Sequence, residues 1–269
     1  SVLDLREQRN RDDAPFELKV GEELSLTIRS EDQFDLGDGP NLGVSEEYAL
    51  RVVEPSELLA LLEANELRLR RRFEQTIVEM TETRDLLARV QAASPEVATS
   101  RDSDEDRADT PVGSADRDKS LKALRVQRAR QQGDKATQEI AGVAAAFLAI
   151  RDELINNRID TEERKIRLEQ QIVEPLKDIV DLQFPDWDDS LKSLVSAIES
   201  DQPTEEKAAE SVRLTDEILT ALDRVLQKME ELESYNELVD LVRSIIKEQE
   251  ELLEKTKQER KNQAKSLLE

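Results

Sequence analysis

A chain of 269 residues in which 38% are charged, 3% are aromatic and only seven are Gly and eight Pro has the composition of long, seldom interrupted helices, not of one thick globular core. Its net charge of −23 repels nucleic-acid phosphates and anionic headgroups, so nucleic acid is excluded as the expected partner of the segment as a whole. The absence of every His and Cys excludes Ser/His/Asp and Cys/His nucleophilic systems and disulfides, and leaves the redox compartment open.

Residues 1–53 carry the period of two expected of half-buried strands. Leu24, Leu26 and Ile28 alternate with polar residues, and Tyr48, Leu50 and Val52 form a second alternating run. Val2, Leu3 and Leu5 suggest another strand, and Phe16, Leu18 and Val20 a further short one. Between the two clear strands Asp35-Leu36-Gly37-Asp38-Gly39-Pro40-Asn41 is a dense turn signal. So few short strands bury little apolar surface, and the simplest reading is a small antiparallel β unit cut from an immunoglobulin-like sandwich. Asp32, Asp35 and Asp38 near its rim are candidates for holding a divalent cation, although a plain acidic turn is the simpler account.

At Glu54-Pro55-Ser56-Glu57 the period changes to that of a helix, with Pro in the first turn and acidic residues after it. Leu58, Leu59, Leu62, Leu69, Phe73, Ile77, Met80, Leu87 and Val90 place one helix over 54–92, from about Pro55 to Gln91. Residues 93–118 hold almost nothing apolar and read as a disordered acidic linker. Asp102, Asp104 and Asp106 open like a calcium loop, but Arg107 stands where Gly is required and Gly113 where the bidentate Glu belongs.

Residues 119–269 predict two long arms of nearly equal length that form an antiparallel helical hairpin or coiled-coil bundle, parallel self-association of several copies being the equal alternative. The first runs from about Asp118 to Leu182, with irregularity at Gly133 and Asn156-Asn157 and a kink at Pro175. Phe184-Pro185-Asp186-Trp187 then reads as the helical corner, Phe184 and Trp187 being its aromatic plug or an exposed knob. The second arm starts near Thr204, and its seam is Leu222, Val225, Met229, Leu232, Tyr235, Val239, Val242, Ile246, Gln249 and Leu253. The consecutive threes at Met229, Leu232 and Tyr235 make one stammer in it. Such a seam is an interaction surface, facing the chain itself, a second copy in a homo-oligomer, or another protein.

Nothing in this pattern calls for a cofactor or a metal, and carboxylate pairs such as Glu230-Glu231 alternate with bases as solvated helix faces do. The longest apolar run, Ile140 to Ile150, is too short to span a bilayer, so no direct membrane contact is expected of this segment. The chain begins Ser1-Val2-Leu3 without Met or a signal pattern and reads as an excerpt.

The runs Val20-Gly21-Glu22-Glu23-Leu24, Pro40-Asn41-Leu42-Gly43-Val44-Ser45-Glu46-Glu47-Tyr48 and Leu50 to Leu58 resemble the junction of β-sandwich and helix in large membrane-anchored proteins of planctomycete-type bacteria. Asn156 to Thr161, Phe184-Pro185 and Glu233-Ser234-Tyr235-Asn236-Glu237 resemble that family's helical part. The resemblance implies an extracytoplasmic β-domain feeding helices downstream of a membrane anchor, and carries over no catalytic residue. The expectation is a mainly α, non-enzymatic spacer and protein-binding segment of a cell-envelope protein. Its alternatives are a cytoplasmic coiled-coil adaptor or chaperone-like arm, and an accessory region of an enzyme whose catalytic domain lies elsewhere.

Overall fold

The computed structural model describes residues 18–32, 41–92 and 112–266. They fall into two compact units, Ser1–Leu62 and Glu63–Glu269. The protein is mainly α with a small N-terminal antiparallel β unit.

In the first unit β1 (Glu23–Leu26) pairs with β4 (Tyr48–Arg51), and β2 (Arg29–Glu31) with β3 (Leu42–Val44), both antiparallel. The two ladders are nested, so they make one hairpin interrupted by a bulge in which Ser45 to Glu47 oppose Thr27 and Ile28. Ser45 ties the bulge: its Oγ accepts from the Ile28 N–H at 2.9 Å, and its own N–H donates to the Ile28 carbonyl at 2.8 Å. Farther along, both oxygens of Asp32 accept from Asn41, each at 2.8 Å. The strands expected around Ile28 and Tyr48 are therefore present. Leu18 and Val20 are not in a strand, because the chain turns at Val20-Gly21, with Gly21 at φ 91°. Val2, Leu3, Leu5 and Phe16 lie outside the described residues, as do Asp35 and Asp38. No facing layer of a sandwich is among the described residues.

The second unit is a bundle of four rods. The first belongs to α1 (Pro55–Ala92), the second is α2 (Val112–Asn156), the third runs over 162–199, and the fourth is α6 (Glu205–Ser266). Cross-links set their order. Between α1 and α2, Arg72 bonds Glu139 and Glu79 bonds Lys135 at 2.8 Å. Arg151 meets Glu169 at 2.6 Å and Arg130 meets Asp188 at 2.8 Å between the second rod and the third. Tyr235 and Thr215 of α6 meet Glu163 and Trp187 of the third rod, and Glu233 and Asp216 meet Arg70 and Arg84 of α1. In each pair one number rises as the other falls, so all neighbours are antiparallel, the up-down-up-down arrangement of a four-helix bundle.

Three of the rods have unbroken buried rows spaced alternately three and four. In α2 the row is Val126, Ala129, Gly133, Ala136, Ile140, Val143, Phe147, Ile150 and Leu154. In α6 it is Ala208, Ser211, Thr215, Ile218, Leu222, Val225, Met229, Leu232 and Asn236. The row in α1 includes Phe73, Thr76, Met80, Thr83, Leu87 and Val90. Each large apolar member contributes about 1.5–3 kcal/mol by leaving water. The buried hydroxyls survive there because each donates to the carbonyl one turn back: Thr76 to Arg72, Thr83 to Glu79, Ser211 to Lys207 and Thr215 to Ser211.

The third rod corrects the predicted corner. Its segments are α3 (Glu162–Ile166), a π stretch (Arg167–Val173), α4 (Glu174–Asp178), a second π stretch (Ile179–Gln183) and α5 (Phe184–Glu199). Pro175 and Pro185 each lie one residue after the α-helical start that follows a π stretch. A proline in a regular helix removes one N–H and drives its ring into the carbonyl four residues earlier. Here the residue before each proline donates five residues back, Glu174 to Glu169 and Phe184 to Ile179, and the wider turn accommodates the ring. The helix thus runs through Phe184-Pro185-Asp186-Trp187 instead of stopping there.

The chain reverses at 157–161 and 200–204. Both reversals are the same device: Arg158 (φ 55°) and Asp201 (φ 53°) are left-handed, and the next residue donates five back, Ile159 to Leu154 and Gln202 to Ala197. The first arm expected over Asp118 to Leu182 is therefore folded in two. Helix α2 also starts at Val112, so 112–118 are helical and not linker; residues 93–111 lie outside the described ones.

Candidate interaction surface

Asn236 is the last residue of α6 that is buried among the described ones, and the helix continues to Ser266. At about 1.5 Å per residue this extension is roughly 45 Å long. Along it Leu238, Leu241, Val242, Ile245, Ile246, Leu252 and Leu253 are between 46% and 61% exposed. They recur three, four and seven apart and form one stripe. With 3.6 residues per turn, the centre of this stripe lies roughly 130° around the helix from the row Val225, Met229, Leu232 and Asn236 that faces the bundle. The same helix therefore presents two apolar faces in succession, the first buried among the rods of its own unit and the second exposed.

The predicted seam divides accordingly. Leu222, Val225, Met229 and Leu232 are buried in the bundle; Val239 is half-exposed, and Val242, Ile246 and Leu253 are exposed. Gln249 is exposed as well. Tyr235 is not a seam residue. It lies on the flank, where its hydroxyl donates to Glu163 at 3.1 Å and its ring carries the Arg167 guanidinium 4.2 Å from the centroid. Asn236 holds the seam position instead, so Leu232 to Asn236 is a spacing of four and the stammer disappears. An apolar count could not find Asn236, because its burial depends on a partner from another rod.

That partner is Glu66. Arg164 donates to one oxygen of Glu66 at 2.9 Å and Asn236 to the other at 3.0 Å, while Glu63 lies 3.5 Å from Arg164. Glu66, Arg164 and Asn236 are all buried, and they come from α1, α3 and α6. Burial pushes the Glu66 carboxyl above its ordinary range, against the opposing pull of the Arg164 charge and of both hydrogen bonds. A cavity of about 230 Å³ adjoins this layer, with Phe147, Met229 and Leu232 on its apolar side and Arg70, Glu233 and Asn236 on its polar side. Its ionic groups pair with one another, Arg164 with Glu66 and Glu63 and Arg70 with Glu233, while the Nε atoms of Arg70 and Arg164 are buried without a hydrogen-bond partner among the described residues.

Phe184 and Trp187 are neither at a turn nor exposed. Both are buried, edge to face at 6.0 Å, and the indole N–H donates to Thr215 at 2.8 Å. The ring of Trp187 lies directly on Gly133, where an added Cβ would fall well inside contact distance of the six-membered ring. Gly133 therefore marks a close approach of two rods and not an irregularity of α2.

Among the described residues no group of three acidic side chains is placed to hold a metal ion, and no helix is long and apolar enough to cross a membrane. Asp32, the one described member of the rim trio, has its carboxylate turned to Asn41. Comparison of the chain with protein-family models, with curated proteins and with solved structures gives no match.

Proposed function

We propose that this chain is a non-enzymatic structural and interaction segment of a larger cell-envelope protein, in which a four-helix bundle anchors an outstretched helix that binds protein. The observation that carries the reading is the apolar stripe of α6 beyond Asn236. A helix with no tertiary partner is marginal in water, and a stripe of large aliphatic side chains along it gains stability only when covered. The helix works as a coiled-coil element: a spacer over the length of the bundle and a binding face past its end. Assignment to the extracytoplasmic side of a bacterial membrane rests on the resemblance of the junction and helical residues to membrane-anchored planctomycete-type proteins.

A photo-crosslinking residue in place of Leu252, introduced in the cell of origin, tests the binding role. A covalent adduct between the chain and a protein is expected, lost when Ile245 and Ile246 are both replaced by Asp. Absence of any adduct beyond that of the same probe at Glu206, an exposed position on the bundle, rejects the reading.

A further inference from the structure

The charge of the α6 extension is ordered along the chain. Over 229–236 there are three acids, Glu230, Glu231 and Glu233, and no base, although Glu231 pairs with the preceding Lys228 at 2.6 Å and Glu233 with Arg70 at 2.7 Å. Over 255–262 there are four bases, Lys255, Lys257, Arg260 and Lys261, against the single acid Glu259. The apolar stripe lies between, running from Leu238 to Leu253, and its midpoint falls between Ile245 and Ile246. The acidic and basic windows are equally far from that midpoint, one on each side.

This symmetry has a consequence for any second helix laid on the stripe. A copy placed antiparallel about the midpoint sets Leu238 against Leu253, covers the apolar residues of both chains, and brings each basic window beside the other chain's acidic one. A parallel copy in register sets the basic window against itself and the acidic window against itself. Flanking charges of this kind select orientation and partner more than they add affinity. Glu230 and Glu231 are exposed on the bundle surface, and Glu231 lies along the same line of the helix as the stripe, so the partner's tail can run past the end of the stripe. The contact is isologous and closes at two copies.

We propose that the stripe is covered by a second copy of this chain, antiparallel, with Ile245 of one copy opposite Ile246 of the other; this rests on the protein-binding reading of the extension and names its partner. Light scattering on the full chain during size-exclusion chromatography should give twice 30.7 kDa, and Ile245→Asp with Ile246→Asp should return it to 30.7 kDa with unchanged helical content. Orientation is read by disulfides, since the chain has no Cys of its own. A Leu238→Cys chain mixed with a Leu253→Cys chain should oxidise to the mixed dimer, while either alone should not. Lys255→Glu with Lys257→Glu and Arg260→Glu should weaken the dimer about tenfold or more, and adding Glu230→Lys with Glu231→Lys should recover it.

A monomer at all concentrations, a dimer that survives the Asp substitutions, or disulfides from Leu238→Cys alone would each overturn the proposal. If the chain is monomeric while the probe at Leu252 captures a different protein, the antiparallel dimer is wrong and the interaction reading stands. If the probe also captures nothing, both fall.

Discussion

Gly133 has room for a hydrogen and nothing larger, because the Trp187 ring rests on it. Replacing a helical Gly by Ala ordinarily gains up to about 1 kcal/mol. Here overpacking costs on the order of 1–3 kcal/mol, so Gly133→Ala should lower the melting midpoint. At Gly142 an added Cβ meets only an Arg72 nitrogen at 3.7 Å, and Gly142→Ala should stabilise by about 0.5–1 kcal/mol. Chemical denaturation of the two variants checks the opposite signs. Glu66 is the residue whose ionisation the fold resists. Its carboxyl is raised in the folded chain, so the folded state binds more protons than the unfolded one between the two pKa values. Its contribution to stability is full below the unfolded pKa and declines as pH rises through the raised folded value. Glu66→Gln removes that decline. The ratio of wild-type to variant stability should fall as pH is increased across this window, and a ratio independent of pH would contradict the burial argument.

At the scale of elements, the two stretches of α6 should answer the same substitution differently. Leu222 is wholly buried among the rods, and Leu222→Asp places a charge in the seam, which should cost more than about 4 kcal/mol or prevent folding. Ile246 is 52% exposed, and Ile246→Asp should leave thermal unfolding of a dilute sample within about 0.5 kcal/mol of the parent. The reading of sequence alone put both in one seam, because a row of aliphatic residues says nothing about which side of it is occupied. Other elements were hidden for different reasons. Helix α1 was legible nearly to its ends from Pro55 and its leucines, yet its buried row includes Thr76 and Thr83, whose hydroxyls vanish into backbone bonds. Pro175 reads as a kink and Pro185 as part of a stop until the π stretches before them are known, and those depend on contacts rather than composition. The reversal at Arg158 carries no Gly, so its left-handed residue left only the Asn156-Asn157 pair as a clue.

For the molecule as a whole, composition announced the mainly helical class, and the missing His and Cys limited the chemistry before any contact was known. What it could not announce is that the bundle closes with four rods from one chain, since the closing residues Arg164, Glu66 and Asn236 are polar and far apart in sequence. A net charge of −23 on such a body opposes compaction at low ionic strength. Raising salt from about 0.01 to 0.15 M shortens the screening length from about 30 to 8 Å and should raise the melting temperature; a fall would show that the ion pairs between rods outweigh the repulsion.

The second π stretch has a consequence for how this chain tolerates loss of length. In a regular helix, deleting one residue rotates everything beyond it by roughly 100° and turns a buried row outward. Ile179–Gln183 already holds one residue more than an α turn, and Leu182 within it is 61% exposed. Removing Leu182, with Pro185→Ala so that no ring meets the tightened turn, should leave Phe184 and Trp187 in phase with Thr215 and the bundle folded. Removing Ala141 from the middle of α2 should unravel it.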